Sequence, residues 1–350
     1  MKIKGNDILT IDKYINEALY NNKTGYYMKK NPFGKKGDFI TAPNISILFS
    51  EMIAVWVVSF WENLKSPKEF NLIELGAGNG EMMSQIIKTF ESFPLFKNCC
   101  KINILEKSPY LKKIQKKKLK NKNIKWLKNL NEISNLPSIF IANEFFDAIP
   151  FKQFIKKNGK WYERNIKFYK FKKPEYLDIS CNMNEIEKKI GFKISYKQKF
   201  IEYSPYAIDY MKIIAKKINL NTGGVLIIDY GYWNTLMKNT IKSVYKHKNV
   251  DLLDSFGKAD ITYNINFNIF EKILKNFNLK INGKTTQKKF LINLGILKRA
   301  EIISKNLPFS KKADIYFRVK KLIDNNSMGE LFKVLLATNK NTVFKTGFVN

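Results

Sequence analysis

The densest chemistry in this 350-residue chain lies in Leu72-Ile-Glu-Leu-Gly-Ala-Gly-Asn-Gly80. A short apolar run holds one carboxylate, Glu74. Gly76, Ala77, Gly78, Asn79 and Gly80 follow, and Glu81-Met82-Met83 opens a helical pattern. The spacing predicts a buried strand, a tight turn and a helix N-terminus. Glycine lets the backbone turn sharply and lets a ligand come close where a Cβ would intrude. The first turn of the helix behind it offers N–H groups with no intrahelical partner. Together these suit a nucleotide-type ligand.

Three details favour S-adenosyl-L-methionine over a dinucleotide. A dinucleotide turn wants G-x-G-x-x-G, but here the third glycine comes one residue early and Glu81 stands in its place. A carboxylate there would oppose a pyrophosphate. Glu74, just before the turn, suits the cationic amino-acid end of a ligand. Downstream, Lys101-Ile-Asn-Ile-Leu-Glu106 ends a second apolar run in a carboxylate, placed to accept the ribose hydroxyls.

A second constellation is Asn143-Glu-Phe-Phe-Asp-Ala-Ile-Pro150. It follows an apolar run that predicts a strand near 138–143, so it sits where a methyl acceptor would arrive. Glu144 and Asp147 could grip a guanidinium fork, which stays charged at neutral pH. Asp229 and Tyr230, after another apolar run, are expected in the next rim loop, either completing the acceptor pocket or holding the loop by hydrogen bonds. Asp38 and Thr41, in Gly37-Asp-Phe-Ile-Thr-Ala-Pro43, are expected in a lid over the cofactor or in a local turn. His247 is the single histidine and the only neutral-pH base on offer.

The elements that position these groups follow an α/β pattern. Residues 1–70 read as mainly helical with a lid loop; Ser46 caps an apolar helix from Ile47 to Trp61. Over 71–150, strands near 71–75, 101–106, 123–126 and 138–143 alternate with helices near 80–91, 109–119 and 129–134. This is the first part of a Rossmann-like core. Residues 151–200 read as an inserted β-rich lobe, with Asn158-Gly159 as a hairpin turn. Residues 201–350 hold the rest of the core, with 232–265 as substrate loops.

Bulk properties narrow the classes. No apolar run is long enough to span a bilayer, and the N-terminus lacks the apolar core of a signal peptide. Cys99, Cys100, Cys181 and His247 are too few for a four-ligand zinc site, so no metal is expected. Adjacent cysteines suggest reduced thiols and a cytoplasmic setting. The formal net charge of +32 raises a nucleic-acid reading. Dispersed lysines, scarce arginines and abundant Asn and Ile favour a compositional origin instead.

These stretches, with Gly25-Tyr-Tyr, Leu105-Glu-Lys-Ser-Pro, Ile228-Asp-Tyr-Gly-Tyr, Ala259-Asp-Ile-Thr and Met328-Gly-Glu-Leu-Phe-Lys, resemble the MidA family of class I methyltransferases over almost the whole length. That family includes a mitochondrial complex I assembly factor. The resemblance implies S-adenosyl-L-methionine as cofactor and arginine in a protein as acceptor, with a respiratory complex subunit as the kind of target. Asn79, where an arginine is frequent, and Gln85, where an acid is common, depart from the family pattern. Expected partners are therefore a protein substrate, then nucleic acid, then a second copy in a homodimer, with no membrane insertion. The alternatives are an RNA or DNA methyltransferase, with Asn143 and the neighbouring Phe145 and Phe146 holding a flipped base, and a scaffold that retains the cofactor fold without catalysis.

Overall fold

The computed structural model describes residues 6–34, 41–120 and 122–348. Among them a central mixed sheet is built from β1 (Phe70–Leu75), β2 (Cys100–Leu105), β3 (Ile124–Leu127), β4 (Ser138–Asn143), β5 (Gly223–Tyr232), β6 (Lys280–Thr286) and β7 (Phe332–Thr338). Their order across the sheet is β3-β2-β1-β4-β5-β7-β6. β1 to β5 run parallel, and β7 is antiparallel to both neighbours.

The interior strands are apolar on both faces because helices cover both. Along β5, Val225 and Ile227 enter one core while Leu226 and Ile228 enter the other. Along β1, Ile73 and Leu75 face the first core, Phe70 and Leu72 the second. The Ile47–Asn63 helix packs in the second core with Trp56 and Trp61 buried, and Ser46 caps it by accepting from the Leu48 N–H at 3.3 Å.

The chain order reverses between β1 and β4, which places a crevice beyond the carboxyl ends of these strands. The glycine turn leaves β1 there, and Asn143-Glu144 leaves β4. Gly223 starts β5 at φ +137°, with an added Cβ only 1.9 Å from the Ser138 carbonyl oxygen of β4. Glycine is required to keep the two strands in register.

A second sheet comprises Lys152–Lys157, Lys160–Lys167, Glu175–Ser180 and Phe200–Tyr203, joined by Ile8–Thr10. Asn158 and Gly159 take φ of 47° and 80°, forming the hairpin turn expected there. The sheet holds one departure from the sequence reading. Ile8–Thr10, in a stretch read as helical, pairs with Asn165–Lys167; Glu175–Ser180 is a further strand of the stretch read as β-rich. A second departure lies in 232–265, read as loops. Lys242–Tyr245, Lys248–Asn249 and Asp260–Thr262 make a small antiparallel sheet. These strands are too short to show a period. Pro94–Cys99 adds a helix absent from the sequence reading, and 129–134 holds only the 3-10 turn Leu130–Glu132.

Candidate active site

A cavity of about 550 Å³ opens at the switch point. Gly76, Gly78 and Glu106 line it from the core, and Thr41 from the segment before the Ala42–Ile45 helix. Glu144, Phe145 and Asp147 come from the loop after β4, and Tyr230 from the end of β5. The N-terminal region adds Asn16, Tyr20, Tyr27 and Phe33, the small sheet adds Lys242, Asp260 and Thr262, and Tyr263 follows it.

The glycine turn is built as its sequence requires. Gly76, Gly78 and Gly80 have φ of 68°, 52° and 75°. An added Cβ at Gly76 would come 2.8 Å from the Phe145 ring, and one at Gly78 would come 3.2 Å from the Phe33 ring. Gly80 is the N-cap of the Glu81–Phe90 helix and lies against Gln115. Ala77 is buried in the second core, its carbonyl accepting from the Gly80 N–H at 2.7 Å. Asn79 does not line the cavity. Its side-chain amide donates to Asn44 at 3.0 Å and its oxygen accepts from the Glu81 N–H at 3.2 Å, so it stitches the turn to the helix start.

Glu106 is buried and lines the cavity. It accepts from the Ser108 N–H at 2.8 Å and from Gln115 Nε2 at 2.9 Å, which fixes the carboxylate. Burial pushes its carboxyl up to about 7, against the pull of those bonds. Glu74 lies within β1 behind the turn. Burial, and then Glu106, push it up to about 8. Its Oε2 and the Asn143 Oδ1 are buried with no hydrogen-bond partner among the described residues. Native structures seldom leave such atoms orphaned.

The acceptor-side carboxylates differ in placement. Glu144 adopts φ 49°, rare for a non-glycine residue. Its Oε1 accepts from the Ala42 N–H at 3.2 Å and from Asn143 Nδ2 at 3.3 Å. Burial pushes its carboxyl up to about 7. Asp147 is buried among Asp229, Glu144 and Asp260, and burial followed by these acids holds its carboxyl well above the usual range. Asp229 is placed otherwise. It is fully buried and does not line the cavity; it accepts from the N–H groups of Phe146, Asp147 and Tyr230 at 2.9, 3.3 and 2.8 Å. That geometry anchors the acceptor loop. Tyr230 lines the cavity and packs on Phe332, with ring centroids 4.0 Å apart.

Thr41 lines the cavity with its hydroxyl accepting from Asn44 Nδ2 at 2.6 Å; Asp38 lies outside the described residues. His247 is exposed in the turn between two strands of the small sheet and does not line the cavity. Asp260 and Tyr27 stand in the stretches Ala259-Asp-Ile-Thr and Gly25-Tyr-Tyr that carry the family resemblance, but the sequence reading gave them no site role. Both line the cavity, and the Tyr27 hydroxyl donates to Asp260 Oδ1 at 2.7 Å. No metal-holding cluster of His, Cys, Asp and Glu exists among the described residues.

Residues 52–285 match the model of a family described as "Putative S-adenosyl-L-methionine-dependent methyltransferase". The chain belongs to this family. It is an S-adenosyl-L-methionine-dependent methyltransferase of the MidA type. The chain is 29% identical, over 95% of its length and 81% of the relative's, to the mitochondrial protein arginine methyltransferase NDUFAF7 of Xenopus laevis. The human protein of that name is 27% identical, over 95% of this chain and 80% of the relative. A Burkholderia thailandensis protein crystallised with S-adenosyl-homocysteine shares the fold, with TM-score 0.81 and 21% identity over 98% of this chain and 89% of that one.

The methyltransferase's own residues fit the cofactor. Gly76 and Gly78 leave a floor that a Cβ would fill, Glu106 offers a fixed carboxylate, and Glu74 Oε2 is an orphaned acceptor behind the turn. When bound, S-adenosyl-L-methionine supplies an electrophilic methyl group. The protein's part is to hold, orient and desolvate.

Proposed function

We propose that the methyltransferase modifies arginine in a protein substrate. The observation that carries this reading is the cavity itself. In a chain of formal charge +32, four buried or half-buried carboxylates, Glu106, Glu144, Asp147 and Asp260, line one aromatic pocket. Lys107, Lys128 and Lys242 also line it. Such a pocket favours a cationic, planar acceptor over a phosphate-bearing one. The relatives named as protein arginine methyltransferases support the same acceptor.

In this reading Glu144 and Asp147 grip the guanidinium and aim one nitrogen. Glu144, held near 7, takes the proton that nitrogen sheds. Asp229 keeps the loop in place through its three N–H bonds. The respiratory-complex subunit implied by the family resemblance is the target class we assign. The three free cysteines suit a reducing cytoplasmic setting, and no helix among the described residues is long and apolar enough to cross a membrane.

Methyl-labelled cofactor incubated with the enzyme and lysate from its own source tests this. The expected label is sensitive to protease, resistant to nuclease, and recovered as methylarginine after hydrolysis. Label lost to nuclease would overturn the protein reading, and methyllysine would overturn the arginine one. Cofactor binding without any label would favour a scaffold.

A further inference from the structure

The glycine turn and Glu106 follow different strands, and one side chain joins them. Gln115 projects from the Pro109–Lys118 helix and is fully buried. Its Nε2 donates to two acceptors, the Gly78 carbonyl and Glu106 Oε2, each at 2.9 Å. Its Oε1 accepts from the indole N–H of Trp126, on β3, at 3.0 Å. An indole nitrogen only donates, while a carbonyl and an ionised carboxylate only accept. The three partners therefore fix which end of the amide faces which way. Turned over, it would set its oxygen against two acceptors and its NH2 against a donor. The turn also lies close on this side chain: a Cβ at Gly80 would meet Gln115 Cγ at 3.4 Å. Gln115 does not itself line the cavity, but Gly78 and Glu106 both do.

We infer that Gln115 is a positioning residue for the cofactor: its amide, oriented by Trp126, sets the spacing between the glycine turn and the Glu106 carboxylate. The Ser108 N–H takes one oxygen of that carboxylate and Gln115 the other. A carboxylate has about four lone-pair sites, so each oxygen keeps one for a donor in the cavity. A donor aimed at an acid also favours its ionised form. Around the carboxyl stand Glu74 on β1, Lys112 on the Gln115 helix, Tyr20 on the Ile11–Tyr20 helix and Tyr210 on the Pro205–Asn221 helix. Burial keeps both phenols protonated. Gln115 carries no charge, so its hold on Glu106 passes through one hydrogen bond. The role depends on Glu106 and the glycine turn seating the cofactor, and not on which acceptor is methylated.

The probe is S-adenosyl-homocysteine, its affinity measured by calorimetry from about pH 6 to about pH 9. Wild-type affinity is expected to climb, with the lower limb centred at about 7 as Glu106 ionises. Gln115→Met keeps the buried volume and removes the amide. The midpoint of that limb should then move up by about one pH unit, the worth of one hydrogen bond to a charged group. Affinity should fall about tenfold at neutral pH, with the gap closing toward about pH 9. Trp126→Phe deletes the indole N–H and is read where Gln115→Met does not fold; its midpoint should move the same way, by less. A shift in Gln115→Met alone supports Gln115 and removes Trp126 as its orienter. A side chain that only packs would weaken binding by one factor at every pH, and that parallel loss overturns the inference. So does an unmoved midpoint in every variant that folds. Glu106→Gln tests the seat itself. If it binds the probe as the wild type does at every pH, the seat lies elsewhere and the role of Gln115 falls with it. Weak binding in Glu106→Gln beside an unchanged Gln115→Met overturns Gln115 alone.

Discussion

Gly76, Glu106 and Glu144 are three residues whose chemistry is set by what surrounds them. At Gly76 a methyl group would meet the Phe145 ring at 2.8 Å while holding φ at +68°. Gly76→Ala should therefore cut cofactor affinity at least tenfold, read by calorimetry, and shift Phe145 on the acceptor side. The carboxyls give a pH dependence of definite sign. Burial raises Glu106 to about 7 and Glu74 to about 8 from an ordinary 4.5. The free fold thus binds these protons more tightly than the unfolded chain, and loses stability as pH rises from the ordinary value through about 7 to 8. A ligand that needs the carboxylates does the reverse: cofactor affinity should climb between pH 6 and about 8.5. Glu74→Gln should flatten the upper part of that climb. Turnover should rise through about 7 as Glu144 ionises. Glu144→Gln should lower it about a hundredfold with cofactor affinity kept; affinity lost in step would remove Glu144 from the acceptor side.

Elements decide how firmly those residues are held. Gly223 sits where β4 and β5 meet, with no room for a Cβ against the Ser138 carbonyl. Gly223→Ala should cost several kcal/mol in urea unfolding, since it parts two central strands. A second brace lies in the lobe. Buried Glu202 accepts from the Thr240 N–H and hydroxyl, the latter at 2.6 Å, and from Gln153 Nε2 at 2.7 Å. It ties the lobe to the 232–265 segment that carries the small sheet. Glu202→Ala should raise the acceptor KM and speed amide exchange across 240–264 while sparing cofactor affinity. Unchanged exchange would separate the lobe from the site. The sequence was most legible where the period was long: β1, β2, β4, β5 and the Ile47–Asn63 helix all fall where their apolar runs predict. Strands such as Lys242–Tyr245 and Asp260–Thr262 carry no period of their own and are held by tertiary pairing, so the cavity positions of Asp260, quoted only within a family stretch, and of Tyr263 were hidden. Asp229 shows the other limit. A carboxylate at a strand end looks the same in sequence whether it faces a ligand or three backbone N–H groups.

Across the whole molecule, charge is sorted by depth. Lysines such as Lys298, Lys305, Lys311, Lys320 and Lys321 lie on the surface, while Glu74, Glu106, Asp147, Asp229 and Asp260 are buried around the site. Surface ion pairs, among them Lys101–Glu69 and Lys298–Glu301, have both partners exposed and contribute little each. With a formal excess of +32, repulsion among like charges outweighs them. Salt should therefore stabilise this protein, since the Debye length falls from roughly 30 Å at 0.01 M to about 8 Å at 0.15 M and screens that repulsion. Melting temperature should rise by at least about 2 °C over that range, equally with chloride salts of different cations. Cofactor affinity at fixed pH should change far less, because Glu106 and Glu74 are buried from the ions that screen the surface. A melting temperature that falls with salt would mean that attractive pairs govern the surface, and the charge would then need a structural role.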